Sequence, residues 1–455
     1  MNRDIIQDKK IIVYGLGVTG VSSCEALTEL GASVLVYQDK QVSGHGTPTD
    51  QAVESVLALK DAGRPIEFID SPEDLPWEEI DLLLKSPGIG LEKPLLLEAA
   101  RKGVPMVSDI ELAYRIFGGD RMVAITGSNG KTTTVSLLTH ILNSAGRYAV
   151  SVGNIGIPIL TTMLRAPEDS YFVVECSSFQ LATITDFKPH LAAILNITPD
   201  HIEWHGTFEA YTEAKYQICK NQDQHDHLLL NPGDELSRRL AERLHGPEVS
   251  WIDMESDQAK LLMNHRHWKL FGLHNVENAL FAIELARKLG LEDEDIIFGL
   301  DTFEPVRHRM ELVRTLKGVR YINDSKATNV DAAVKALNGL DDPVILIAGG
   351  YDKHVAFDDL IQAFLDKGKW MILLGETKDQ IAEVAIRYGL EDKLVIVDRL
   401  KEAVDRAYNL AEDGDIVLLS PASASWDQYE NFEARGDEFR NIVNGLLEET
   451  DGRED

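Results

Sequence analysis

The chain has 455 residues, 44% hydrophobic and 26% charged, a globular balance long enough for about three domains. Its net charge of −30 and pI near 4.8 exclude a nucleic-acid groove or an anionic membrane surface as partner, because both need basic patches. Cys24, Cys176 and Cys219 are odd in number and far apart, which points to reduced thiols in a cytoplasmic protein, and no run of about 18 apolar residues asks for membrane insertion.

Met1-Asn2-Arg3-Asp4 leads into a short strand, not an apolar leader. Residues 1–109 then alternate strands and helices: a strand at 11–14, a helix through Leu30 stopped by Gly31, a strand at 33–37, and apolar runs at 66–69, 81–84 and 104–107. This is a Rossmann-like, doubly wound pattern. Gly15-Leu16-Gly17-Val18-Thr19-Gly20 fits a dinucleotide fingerprint with Asp39 about 20 residues on. The same geometry serves any diphosphate, so the segment alone leaves a nicotinamide cofactor and a nucleotide sugar both open. Ser86-Pro87-Gly88 reads either as a turn facing the same crevice or as a plain loop.

Residues 110–305 read as the second block, an expected central α/β domain of P-loop type. Val123–Ile125 reads as a buried strand, and Gly127-Ser128-Asn129-Gly130-Lys131-Thr132-Thr133 turns from it into a helix. That order aims backbone N–H groups and a helix N-terminus at one point, an anion site. Lys131 adds a mobile charge, and Thr132 or Thr133 can ligate Mg²⁺. The longer phosphate-loop pattern wants Gly at position 125; Ile125 stands there, so the match is to a shorter variant, T-G-x-N-G-K-T-T. Glu175 ends the strand 171–175, where a carboxylate suits Mg²⁺ or is merely an exposed acid. Asp200-His201-Ile202-Glu203-Trp204-His205 can bind a metal or cap a turn. Lys215, on a helix over 208–220, reads by itself as solvated, and Asn275 as the N-cap of the next helix.

Beyond Pro305 a third block, 306–455, again reads as Rossmann-like α/β, with strands near 311–315, 319–323, 344–348, 370–374, 394–397 and 416–419. Three polar loops follow its strands: Asp324–Asn329, Gly349–Lys353 and Ser420–Asp427, which together mark one rim of the sheet. A charged amphipathic helix spans about 432–447, and residues 448–455 are expected to fray.

In order, these motifs resemble the Mur ligase family over nearly the whole chain. The resemblance rests on the Gly15–Gly20 loop, the Thr126–Thr133 loop, Glu175, the Asp200-His201 turn, Lys215, His274-Asn275-x-x-Asn278, His308-Arg309 and Asp324–Asn329. Ser177-Ser178-Phe179-Gln180-Leu181, Asn323–Asn329 and the stretch Ser420–Gly436 resemble the branch that adds D-glutamate. The resemblance implies an ATP-dependent ligase joining D-glutamate to UDP-N-acetylmuramoyl-L-alanine through an acyl phosphate, a monomer that binds no nucleic acid. It implies ATP held by Gly127, Asn129, Gly130, Lys131, Thr132, Thr133, Asn275, Asn278, Arg309, Asp324 and Lys326. Two Mg²⁺ ions would lie at Thr132 and Glu175, and at His201 with Lys215 as a CO₂-derived carbamate; Lys131, Glu175, His201 and Lys215 would be the catalytic set. Gly15, Gly17, Thr19, Gly20, Ser86, Gly88 and Asn154 would hold the UDP-sugar, and Thr328, Lys353, Ser425 and Phe432 the D-glutamate. Glu203 stands where relatives carry Asp, and Tyr37-Gln38-Asp39 departs from the acid pattern expected for uracil. The runner-up is a sibling ligase adding another amino acid; the diamino-acid enzymes carry Asn-Pro-Arg, which is missing after residue 306. A dehydrogenase leaves the Lys131 loop unexplained. A non-catalytic nucleotide binder has no use for Lys131, Glu175 and His201 together.

Overall fold

A computed structural model of the chain describes residues 1–39, 48–257, 259–260, 273–304, 307–340, 342–352 and 355–447. Lys353, Pro305 and the C-terminal 448–455 lie outside the described residues. Three sheets follow one another. The first comprises β1 (Lys10–Tyr14), β2 (Ser33–Tyr37), β3 (Ile66–Ile69), β4 (Leu82–Lys85) and β5 (Met106–Val107), all parallel in the order β3-β2-β1-β4-β5. The order reverses between β1 and β4, so the loops after these two strands flank the crevice where such sheets bind ligands.

The second sheet comprises β6 (Met122–Thr126), β7 (Ala149–Gly153), β8 (Tyr171–Glu175), β9 (Leu191–Ile194), β10 (His227–Leu230) and β11 (Glu248–Trp251), parallel in the order β11-β10-β9-β6-β8-β7. All five residues of β6 are buried, as a central parallel strand covered on both faces requires. The third sheet, β12 (Glu311–Leu316), β13 (Val319–Asn323), β14 (Val344–Ala348), β15 (Gly368–Leu373), β16 (Leu394–Ile396) and β17 (Ile416–Leu419), runs β12-β13-β17-β14-β15-β16, parallel except for the β12–β13 hairpin.

Two compact units result: residues 1–256 with 278–302, and residues 257–277 with 303–455. Within the first unit the expected boundary at 109/110 is bridged. The helix Asp109–Phe117 buries Ile110, Leu112, Ala113 and Ile116 in an apolar cluster that runs from Ile11 and Val13 to Phe187 and Ile194. Buried Glu111 fixes the arrangement by accepting from the backbone N–H groups of Thr185, Asp186 and Phe187 and from Arg115. The second unit packs an apolar cluster on each face of its sheet, one around Leu346 and Phe364, the other around Ile347 and Phe439.

The helix expected over 208–220 spans Phe208–Tyr216 and tightens into a 3₁₀ turn, Gln217–Cys219. The last helix ends at Asn444. Asn275 is not an N-cap: the helix begins at Leu273, which puts Asn275 in its first turn, where it is buried.

Candidate active site

The phosphate loop leaves β6 at the point where the second sheet reverses order, between β9 and β8. Gly130 caps the helix Lys131–Ser144 with φ +86°, and a Cβ there would lie 2.2 Å from Asn278 Oδ1. Only glycine fits both the left-handed backbone and that approach. Lys131 Nζ folds back over the loop and donates to the carbonyls of Gly127 (2.7 Å) and Ser128 (2.9 Å). Asn196 fastens the loop from the adjacent strand end, its Oδ1 accepting from Asn129 N–H at 2.9 Å.

Glu175, buried at the end of β8, gathers the next groups. Thr132 Oγ1 donates to its Oε2 at 2.8 Å, and Asn154 Nδ2 to its Oε1 at 2.9 Å. A hydroxyl and a carboxylate converging on one point are hard oxygen donors of the kind Mg²⁺ takes. Among the described residues no three His, Cys, Asp or Glu side chains form a ready cation cage. A cation here would therefore complete its shell with oxygens from nucleotide, water or a modified side chain.

Lys215 is fully inside the protein, contrary to its reading as a solvated helical lysine. Its Nζ donates to Gly127 O at 2.8 Å and lies 4.6 Å from the Tyr211 ring centroid. Burial first, then the neighbouring charge of Lys131, pushes this amine well below the ordinary lysine range. His201 starts the short helix Ile202–His205 with φ +53°, an uncommon backbone for a non-glycine residue, and packs its ring 4.8 Å from Phe179. His205 stacks on the same Phe179, shares a 3.0 Å hydrogen bond with Ser178 Oγ, and is lowered to about 4 by burial and by His201 and Lys215, which keeps it neutral.

In the first sheet the Gly15 and Ser86 loops form one surface. Ser86 Oγ donates to Gly15 O at 2.8 Å, and Ser86 N–H to Tyr14 O at 2.9 Å. A Cβ on Gly20 would sit 2.1 Å from Gly15 O, so glycine lets the helix Val18–Glu29 close onto the loop. Asp39 accepts from Tyr14 Oη at 2.8 Å and pairs with Lys93 at 3.3 Å.

In the second unit, Asp324 Oδ2 accepts from Ser420 Oγ (2.9 Å) and Oδ1 from Met310 N–H (3.2 Å). Burial raises this carboxyl to about 7 against the pull of Arg309. Lys326 Nζ lies 5.3 Å from the Phe432 ring centroid, so two residues expected at different ligands are neighbours. Thr328 N–H donates to Lys326 O at 2.8 Å within the same loop. Arg435, which sequence reasoning missed, holds this rim together. Its guanidinium, buried, donates to Ser325 Oγ and O and to the carbonyls of Ser423 and Ala424, placing Ser425 beside them. His274 is half-buried; its buried Nδ1 has no partner among the described residues, and burial and Arg309 lower it to about 4.

The first two sheets each carry a glycine loop at their switch point, and one loop has the lysine, threonine and acid of a nucleoside-triphosphate site; the class is a phosphate-loop α/β nucleotide-binding protein with a further α/β unit. Sequence comparison then narrows the class. The family model described as the Mur ligase middle domain matches residues 125–286, and the one described as the Mur ligase, glutamate ligase domain matches residues 308–423. Curated relatives named UDP-N-acetylmuramoylalanine–D-glutamate ligase include that of Alkaliphilus oremlandii, 40% identical over 97% of this chain and 99% of its own. That of Clostridioides difficile is 38% identical over the same shares. Among solved structures, MurF ligase from Thermotoga maritima in complex with ADP superposes with TM-score 0.59 at 15% identity, covering 97% of each chain. UDP-N-acetylmuramate-alanine ligase MurC from the same organism reaches 0.56 at 18% identity, covering 96% of this chain and 99% of its own, a likeness of fold. The chain belongs to the Mur ligase family.

Proposed function

We propose that this protein joins D-glutamate to UDP-N-acetylmuramoyl-L-alanine with conversion of ATP to ADP and phosphate, a step of cell-wall precursor synthesis carried out in the cytoplasm by a monomer. The observation that carries the proposal is full-length similarity, at about two residues in five, to ligases of that name. A sibling ligase adding another amino acid is the alternative.

The chemistry follows from the residues. The substrate carboxylate attacks the γ-phosphorus of ATP, and the amine of D-glutamate then attacks the acyl phosphate carbon and expels phosphate. Both partners of the first step are anions, so positioning and charge neutralisation dominate. Lys131, now bonded to loop carbonyls, exchanges those acceptors for phosphate oxygens. The N–H groups of Gly127, Gly130, Thr132 and Thr133 serve the same anion, and Asn129, whose N–H is held by Asn196, lines it. Thr132 and Glu175 would hold one Mg²⁺, and His201 with carbamylated Lys215 a second; bound there, the cations would offset phosphate charge. Asn154, which donates to Glu175, orients that carboxylate as well as serving the muramoyl substrate. Gly15, Gly17, Thr19, Gly20, Ser86 and Gly88 take the UDP moiety. Asn275, Asn278, Arg309, Asp324 and Lys326 serve ATP. Thr328, Ser425, Phe432 and Lys353 serve D-glutamate.

The test is phosphate release from ATP with UDP-N-acetylmuramoyl-L-alanine and a panel of amino acids. Release with D-glutamate and little with L-glutamate, L-alanine or a diamino acid is expected. Release with a different member of the panel would move the chain to a sibling activity.

A further inference from the structure

We propose that Lys85 is a positioning residue for the UDP-sugar: its ammonium ties the Ser86–Gly88 loop to the turn that carries His201. The inference rests on the reading of that loop as the nucleotide-sugar site.

Lys85 and Lys215 are the two buried lysines among the described residues, and the reaction uses only Lys215. Lys85 closes β4 and has no exposed surface. A lysine inside a protein costs folding free energy unless its charge finds acceptors. Those acceptors are the carbonyls of Pro87 (3.2 Å) and Ser86 (3.4 Å), in the loop that follows it. On its other side Nζ lies 5.5 Å from the Trp204 ring centroid, a cation–π distance. Burial lowers its pKa to about 8 while the Asp109 carboxylate opposes the shift, so the group remains an ammonium at neutral pH.

Each contact leads to a functional segment. One of the loop carbonyls belongs to Ser86, whose Oγ also fastens Gly15. Trp204 lies in the helix that His201 initiates and packs on Phe179 (4.9 Å) and His205 (4.5 Å). Asp109 accepts from Gln180 Nε2 at 2.8 Å, and Gln180 completes the capping box of the helix Ser178–Leu181, just beyond Glu175. One ammonium thus joins the loop proposed for the UDP-sugar to the turn that carries His201. A hydrocarbon side chain would fill the space but leave the loop carbonyls and the Trp204 face unlinked.

The experiment compares Lys85→Met, which keeps the stem and removes the charge, with wild type. Calorimetric titration with UDP-N-acetylmuramoyl-L-alanine should show affinity lower by roughly ten-fold or more, the scale of a lost charge-assisted hydrogen bond. KM for D-glutamate should stay within about two-fold, and the melting temperature should hold or rise, because replacing a buried charge by an apolar group is often neutral or stabilising. Lys85→Arg should restore part of the affinity. Unchanged nucleotide-sugar affinity in Lys85→Met overturns the proposal. Hydrogen exchange on wild-type protein tests it without a variant: the nucleotide sugar alone should protect residues 201–205, and no protection overturns it. Wild-type protein that does not bind the nucleotide sugar at all overturns the functional reading as well.

Discussion

Lys215 and Asp324 both lie where burial decides protonation. For Lys215, burial and the Lys131 charge favour the neutral amine, the form that attacks CO₂ and releases a proton to leave a carbamate. Lys215→Ala should be nearly inactive and partly rescued by short carboxylates, and ¹³CO₂ should give the wild type a carbamate ¹³C resonance absent from the variant; full activity without that resonance would remove the idea. For Asp324 the sign runs the other way. Its folded pKa near 7 exceeds its ordinary 3.8, so between those values the folded protein binds more protons than the unfolded chain, and stability falls as pH rises through that window. Asp324→Asn can still accept from Met310 N–H and does not titrate. Its unfolding free energy in urea titrations should gain on wild type from pH 4 to 7, by up to ~4 kcal/mol; parallel profiles would refute the raised carboxyl. Lys215 also shows what the sequence discloses at this scale. Lys131 and Glu175 were legible because a strand-turn-helix fixes where they point. Lys215, Lys85 and Arg435 were not, since a cation on a helix or after a strand reads as solvated until tertiary packing closes over it.

Elements with strong local signals form where the pattern placed them. The run Val123–Ile125 became the core of β6, and Gly127–Thr133 the turn and first helical residues after it. Three strands of the second sheet were not read from the sequence: β7 and β10 are short runs around Val150 and Val152 and over Leu228–Leu230, and β11 is a partly exposed edge strand of mixed composition whose parallel register with β10 defines it. The Gly130 junction is where element geometry meets chemistry. Ala at this position would hold φ +86° against its preference and drive a Cβ into Asn278 Oδ1, 2.2 Å away. Gly130→Ala should therefore lose about 1–2 kcal/mol of stability from backbone strain, but far more in ATP use, because Asn278 and the loop N–H groups must both move. Isothermal titration with ATP against a thermal melt separates the two; equal nucleotide affinity would show that the loop does not need this conformation.

Across the whole molecule the three sheets resolve into two units, each with its own buried clusters. The first and second sheets share one apolar cluster through the helix Asp109–Phe117, which crosses the 109/110 position. No helix among the described residues is long and apolar enough to cross a membrane. The residues proposed for the UDP-sugar lie in the first unit, and those of the D-glutamate set that the structure describes lie in the second. Ligand binding stabilises only the folded form that binds it, by roughly 2.7 kcal/mol at a hundred times Kd. Scanning calorimetry should then show two transitions, with a calorimetric enthalpy larger than the van't Hoff value. UDP-N-acetylmuramoyl-L-alanine should raise one of them by several degrees and D-glutamate the other. If either ligand moved both transitions together, the two units would be unfolding as one, and the assignment of each substrate to its own core would have to be given up.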